Sequence, residues 1–202
     1  MRKITILTAL TLAAVLAVGV PVLAASGRAT VVVRRVGASP APLLGLAFYN
    51  LEARNGDWSA WEFYGDLPLN DRWSAVGSYL PASYSKDLEA NFLHLGVAHR
   101  VNSQLSVGGG LVQRTYRGDG WSDQASGFLL GLQGRVNFNP QVAGYASLGL
   151  GSLGGDALTE YALGLAFTVN PQVAVTAGYR LVDDGSLLSG AGGFGLGLAA
   201  RF

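Results

Sequence analysis

Side chains able to do chemistry are few in this chain of 202 residues, and they are scattered. The only two histidines are His94 and His99. His94 is followed by Leu-Gly and His99 by Arg-Val, so neither begins a His-x-Ser step. A hydrogen-bonded structural role is the expectation for both. Acids cluster at Asp183-Asp184, with Asp119, Asp123 and Asp156 singly in glycine-rich stretches. Carboxylates of this kind can hold Ca²⁺ or bridge lipid anions through divalent ions, but a solvated turn is the simpler reading. The glycine runs at 108–110 and 148–155 lack the Gly-Lys-Ser/Thr of a phosphate loop. The chain has no cysteine, which excludes disulfides and thiolate metal sites. No catalytic residue, metal or cofactor is therefore expected.

The elements that would carry these residues begin after an atypical start. Arg2 and Lys3 precede an almost unbroken apolar run from Ile4 to Val20, and "VPVLAAS" offers small residues at a cleavage step. That is the pattern of a secretory signal peptide, assigned to residues 1–24. Removing Arg2 and Lys3 from the 14 basic residues leaves 12 against 13 acidic ones, a formal charge of −1. Such a chain has no basic field for nucleic acid. Half of the sequence is hydrophobic, only 13% is charged, and 29 residues are glycine. No apolar run of 18 residues remains after the leader, so membrane helices are not expected.

The hydrophobic period is two. In "GGFGLGLAARF", Phe194, Leu196, Leu198, Ala200 and Phe202 share one face, and Gly193, Gly195, Gly197, Ala199 and Arg201 share the other. Segments 161–169 and 127–138 repeat the alternation, which is that of strands. A soluble barrel turns its large apolar face inward and charged residues outward. Here the minor face is Gly, Ala and Ser with an occasional charge. A membrane barrel inverts the soluble arrangement, with apolar residues toward lipid and small or polar ones toward the lumen. Lumen-facing polar positions are then Glu62, His94, Arg100, Arg114, Gln133, Arg135, Arg180 and Arg201. Mutual pairing for stability is the first reading of that set, and an ion or solute path the second.

A recurring step divides the strands. "RVNSQL", "NFNPQV" and "TVNPQV" each place Asn before a turn residue and a Gln, and "LPLNDRW" is a looser copy. Asn tolerates turn angles and Pro presets φ, so these are tight turns on one side. The connections "LPASYSKDLE", "RGDGWSDQA", "GSLGGDALT" and "DDGSLLSGAGG" read as longer loops on the other. The spacing predicts strands at 43–54, 58–67, 72–81, 89–101, 104–116, 125–138, 141–151, 157–169, 172–182 and 192–202. The fold class is all-β, an antiparallel up-and-down transmembrane β-barrel of about ten strands, with eight or twelve possible. Residues 25–42 would be a periplasmic lead-in and 43–202 the barrel domain. Trp58, Trp61, Trp73, Tyr79, Tyr116, Trp121, Phe138, Phe167 and Phe202 would form interfacial girdles.

These features together resemble the small outer-membrane β-barrel proteins of double-membraned bacteria. The leader, the alternating strands and the final "FGLGLAARF" carry the resemblance, which covers roughly residues 43–202. A closer match would be to YfaZ-like or OmpA-like barrel domains, and no motif diagnostic of either is present. The resemblance implies that Phe194, Leu196, Leu198, Ala200 and Phe202 are the signal read by the barrel assembly machinery. It also implies outer-membrane lipid as surroundings; a surface ligand, if there is one, is not identified. The His/Ser arrangement of lipid-modifying barrels is absent. The expected function is a non-enzymatic envelope-structural or surface-interaction role. A narrow porin-like channel is the alternative, ahead of a lipid-modifying enzyme or a soluble exported ligand-binding barrel.

Overall fold

The computed structural model describes residues 41–54, 56–84 and 88–202. The expected leader and all but the last two residues of the lead-in lie outside the described residues. Ten strands follow in order: β1 (Leu43–Ala53), β2 (Gly56–Pro68), β3 (Trp73–Ser83), β4 (Glu89–Arg100), β5 (Leu105–Gly118), β6 (Trp121–Asn137), β7 (Val142–Leu153), β8 (Asp156–Thr168), β9 (Val173–Asp183) and β10 (Ala191–Arg201). Each pairs antiparallel with its sequence neighbours, and β10 pairs with β1 to close the barrel. Leu43 stands opposite Arg201 in that seam, and the Phe202 N–H donates to the Pro42 carbonyl at 3.1 Å. Closure leaves no unpaired strand edge.

Four turns at the end of the barrel that holds Leu43 and Arg201 share one construction. Asn70, Asn102, Asn139 and Asn170 each accept two backbone N–H bonds at Oδ1, from the second and third residues onward, at 2.7–2.9 Å. In each, the Asn N–H and the N–H before it donate to the carbonyl of the residue that opens the next strand. The side chain stands in for a turn of backbone, which is why Asn recurs at this position.

The opposite end departs from expectation. The stretches "RGDGWSDQA" and "GSLGGDALT" are mostly strand, not loop. β5 and β6 run on until Gly118 faces Trp121, and β7 and β8 until Leu153 faces Asp156. Two residues complete each hairpin. Gly154 and Gly155 have φ of +65° and +99°, the geometry of a primed hairpin turn that glycine adopts without strain. Glycine and aspartate in these stretches signal a turn, not its length. Asp123 and Asp156 consequently lie within strands. The longest connection fully described at this end joins β9 to β10, residues 184–190.

The faces are inverted relative to a soluble barrel. Phe63, Leu95, Leu111, Leu130, Leu163, Leu196 and Phe202 are among the large apolar residues exposed around the outside, and Phe194 is 76% exposed. The interior holds the shielded residues, including Tyr49, Tyr64, Phe92 and Leu153. An apolar girdle this extensive has no stable place in water and matches the lipid-facing band of a membrane barrel. Trp61, Trp73, Tyr79, Trp121, Phe138, Phe167 and Phe202 point outward as expected of interfacial rings. Trp58 and Tyr116 do not: both are fully buried in the interior. Strand parity at the far end places them with the lumen set, which proximity to a strand end had obscured.

Candidate functional site in the barrel lumen

Interior glycines are partly filled by tyrosines. A Cβ at Gly45 would overlap the Tyr64 ring, and one at Gly164 or Gly178 would meet the Tyr145 hydroxyl. The rings lean over bare backbone on neighbouring strands and narrow the lumen.

Between these rings a polar chain crosses the middle of the barrel. Arg180 on β9 donates to Glu62 on β2 at 2.5 Å and to Glu160 on β8 at 3.3 Å. The Tyr49 hydroxyl donates to the other Glu62 oxygen at 3.3 Å. Glu160 Oε1 lies 3.3 Å from His94 Nε2 on β4. His94 Nδ1 in turn lies 3.5 Å from the Ser78 hydroxyl on β3. Six strands thus contribute to one chain, and the two carboxylates share a single guanidinium. Hydroxyl, imidazole and carboxylate follow the order of a hydrolytic triad. The contacts are long, and the His94–Glu160 approach lacks hydrogen-bond alignment.

A second cluster ties the β9–β10 connection to the opposite wall. Arg114 on β5 donates to Asp184 at 2.9 Å, Ser186 at 2.7 Å and Asp123 at 2.9 Å. The Tyr116 hydroxyl donates to Asp184 at 2.8 Å and accepts the Leu188 N–H at 3.1 Å. The Arg114 guanidinium also sits 4.6 Å from the Tyr116 ring centre. Leu188 is fully buried, in the same apolar cluster as Leu51, Trp58, Leu80, Leu153 and Leu158. This connection therefore lies across the mouth. Burial alone would raise the Asp184 carboxyl, but hydrogen bonds from Ser186, Arg114 and Tyr116 outweigh it and hold it below the usual carboxylate range. Asp184 is 0% exposed, so the solvated turn expected at Asp183-Asp184 is corrected for the second residue. It is a buried latch partner, because the chain turns inward after β9.

Of the remaining lumen positions, Arg135 is buried at the other end, where its Nε donates to Asn137 at 3.0 Å. Arg201 and Arg100 are half-buried near the same end, and Gln133 lines the central cavity. His99 faces outward and packs against Trp73, with ring centres 4.7 Å apart and ring planes tilted by 54°. Among the described residues, no cluster of three or more His, Cys, Asp or Glu could hold a metal ion. Ser78, Tyr49, Glu160 and Asp123 were not singled out as lumen partners from the sequence. Strand parity alone could have placed the first three on the inner face.

The fold and this interior define a closed ten-stranded antiparallel barrel of the transmembrane class. No family model matches the chain, and no curated protein sequence matches it. Solved structures similar to it include the translocator domain of the autotransporter NalP from Neisseria meningitidis, at 12% identity and a TM-score of 0.48, covering 83% of this chain and 90% of that one. The NanC porin is similar at 13% identity and a TM-score of 0.45, covering 80% of this chain and 100% of that chain. The KdgM porin, solved with disordered oligogalacturonate, is similar at 14% identity and a TM-score of 0.45, covering 79% and 99%.

Proposed function

We propose that the protein is an integral outer-membrane β-barrel of a bacterial envelope, without enzymatic activity, serving a structural or surface-interaction role. The observation that carries this reading is the polar chain from Tyr49 to Ser78, which crosses the lumen inside an apolar outer band. A barrel of this size has an interior that side chains can fill. The end with four Asx turns would face the periplasm, and the mouth closed by Leu188 would face outward. Outer-membrane lipid and the barrel assembly machinery are the expected partners. The long contacts around His94 favour a structural imidazole over a general base.

A second reading is a narrow channel for small solutes, supported by the cavity of about 140 Å³ beside the polar chain. Recording in planar bilayers separates the two. Folded wild-type protein should give silent membranes, while Glu62→Ala combined with Arg180→Ala should introduce current. Steady conductance from the wild type would favour the channel.

A further inference from the structure

We propose that the lumen at the Asx-turn end of the barrel binds a small oxyanion between Arg135 and Arg201. The two arginines stand on different walls, with β7, β8 and β9 between their strands on the shorter way around. Arg135 on β6 is 5% exposed. Its Nε donates to Asn137 Oδ1 at 3.0 Å, which uses one of the five donors of a guanidinium. Arg201 on β10 has a buried Nη2 with no hydrogen-bond partner. The two side chains are close enough for their positive charges to repel. Neither forms an ion pair among the described residues. A guanidinium does not shed its proton to relieve this, and buried charges are ordinarily paired.

The chain does not supply the missing negative charge. Asp66 is the buried carboxylate at this end. Leu43 separates it from Arg201, standing opposite both in the strand register. Arg100, which is otherwise engaged, adds a third positive charge at the same end. Asp71 lies beside Arg72 in an exposed turn. Residues 1–42 contain no Asp or Glu, and the remaining described acids belong to the centre or the opposite end of the barrel. The wall between the two arginines presents Ala143, Ala166 and Ala174, whose methyl groups offer neither charge nor bonds. A small oxyanion answers both needs. It is negative, and its oxygens accept the parallel N–H bonds of a guanidinium fork.

The test is calorimetric titration of the folded, detergent-solubilised protein with inorganic phosphate, in a buffer free of other oxyanions. Saturable binding is expected, with a rise in the unfolding temperature. Arg135→Gln and Arg201→Gln should each weaken binding at least about tenfold, while the barrel keeps its compact migration on unheated detergent gels. Arg72→Gln removes an exposed charge from the neighbouring turn and should leave affinity within about twofold, because salt screens such a charge. Without phosphate, Arg201→Gln should unfold at a higher temperature than the wild type, since it removes the repulsion; saturating phosphate should erase that difference. Phosphatidylglycerol in the micelle should leave the titration unchanged. Competition by it would assign the site to a lipid phosphate, the same oxyanion chemistry from another source. Absence of saturable binding in the wild type would mean that water alone serves the two arginines, and would overturn the proposal. So would equal weakening by Arg72→Gln, or full affinity in folded Arg135→Gln and Arg201→Gln.

Discussion

Arg180 reaches Glu62 across 118 positions of sequence, donating from Nη1 to Oε1 at 2.5 Å. Two strands, β10 and β1, stand between their own strands in the closed order. The bond is therefore made through the lumen, and it exists only once the barrel has closed. Replacing Arg180 by Met leaves Glu62 and Glu160 buried without their shared cation. Breaking a buried pair in this way costs about 3–5 kcal/mol. Urea unfolding in lipid vesicles should show a loss of that size, and a loss below about 1 kcal/mol would mean that the chain contributes little to stability.

Each Asx turn rests on one side-chain oxygen. Asn139→Ala removes two N–H bonds in an exposed turn and should cost about 0.5–1.5 kcal/mol. The same change at Asn102 or Asn170 should cost a similar amount, because the bonding is the same. A spread of several kcal/mol among the three in equilibrium unfolding would contradict a common role.

Interior glycines should differ sharply in tolerance. A Cβ at Gly193 would run into the Asn50 carbonyl, whereas Gly131 faces space. Gly193→Ala should lose about 1–3 kcal/mol through forced strand separation. Gly131→Ala should be neutral or stabilising, since it also restricts the unfolded chain. Equal unfolding midpoints for the two variants would refute the packing argument.

The hold of the β9–β10 connection should depend on pH in one direction. Asp184 has a folded value below its unfolded one, so its contribution is complete above the ordinary carboxylate value of about 3.9. It fades as pH falls through the lower folded value. Hydrogen exchange of the Leu188 amide, bonded to Tyr116, should stay slow at neutral pH and, after correction for intrinsic exchange, lose protection only in strong acid. Asp184→Asn should weaken that protection at neutral pH. Wild-type protection lost already near pH 5 would argue against the latch.

Deleting Phe202 should lower the amount of assembled barrel in envelopes more than the amount synthesised. The exposed ring directly follows β10, the strand that closes against β1, and we propose that it takes part in assembly. Normal envelope levels of the truncated chain would remove that assignment.

Strand number and face were legible because a period of two over about ten residues leaves little choice of which side chains share a surface. The Asn steps marked four turns for a similarly local reason. The far-end hairpins were less legible. Composition announced a turn near Gly120 and Gly154, but the strands' continuation through Arg117 and Ser152 depends on pairing with a partner. Trp58 was misplaced because an aromatic near a strand end can point either way, and only its parity with Glu62 and Tyr64 settles it. The partners within the lumen were not legible at all. Arg114 meets Asp184 over 70 residues, and Glu160 meets His94, because closure brings opposite walls together. No local spacing encodes that distance.

The central claim is that the apolar face of these strands meets lipid and the polar face lines a closed lumen. Migration of the envelope-extracted protein on a detergent gel, before and after boiling, with carbonate extraction alongside, tests it most directly. The account predicts faster migration unheated, a shift on boiling, and retention in the carbonate-washed membrane. An unshifted band released by carbonate would contradict it.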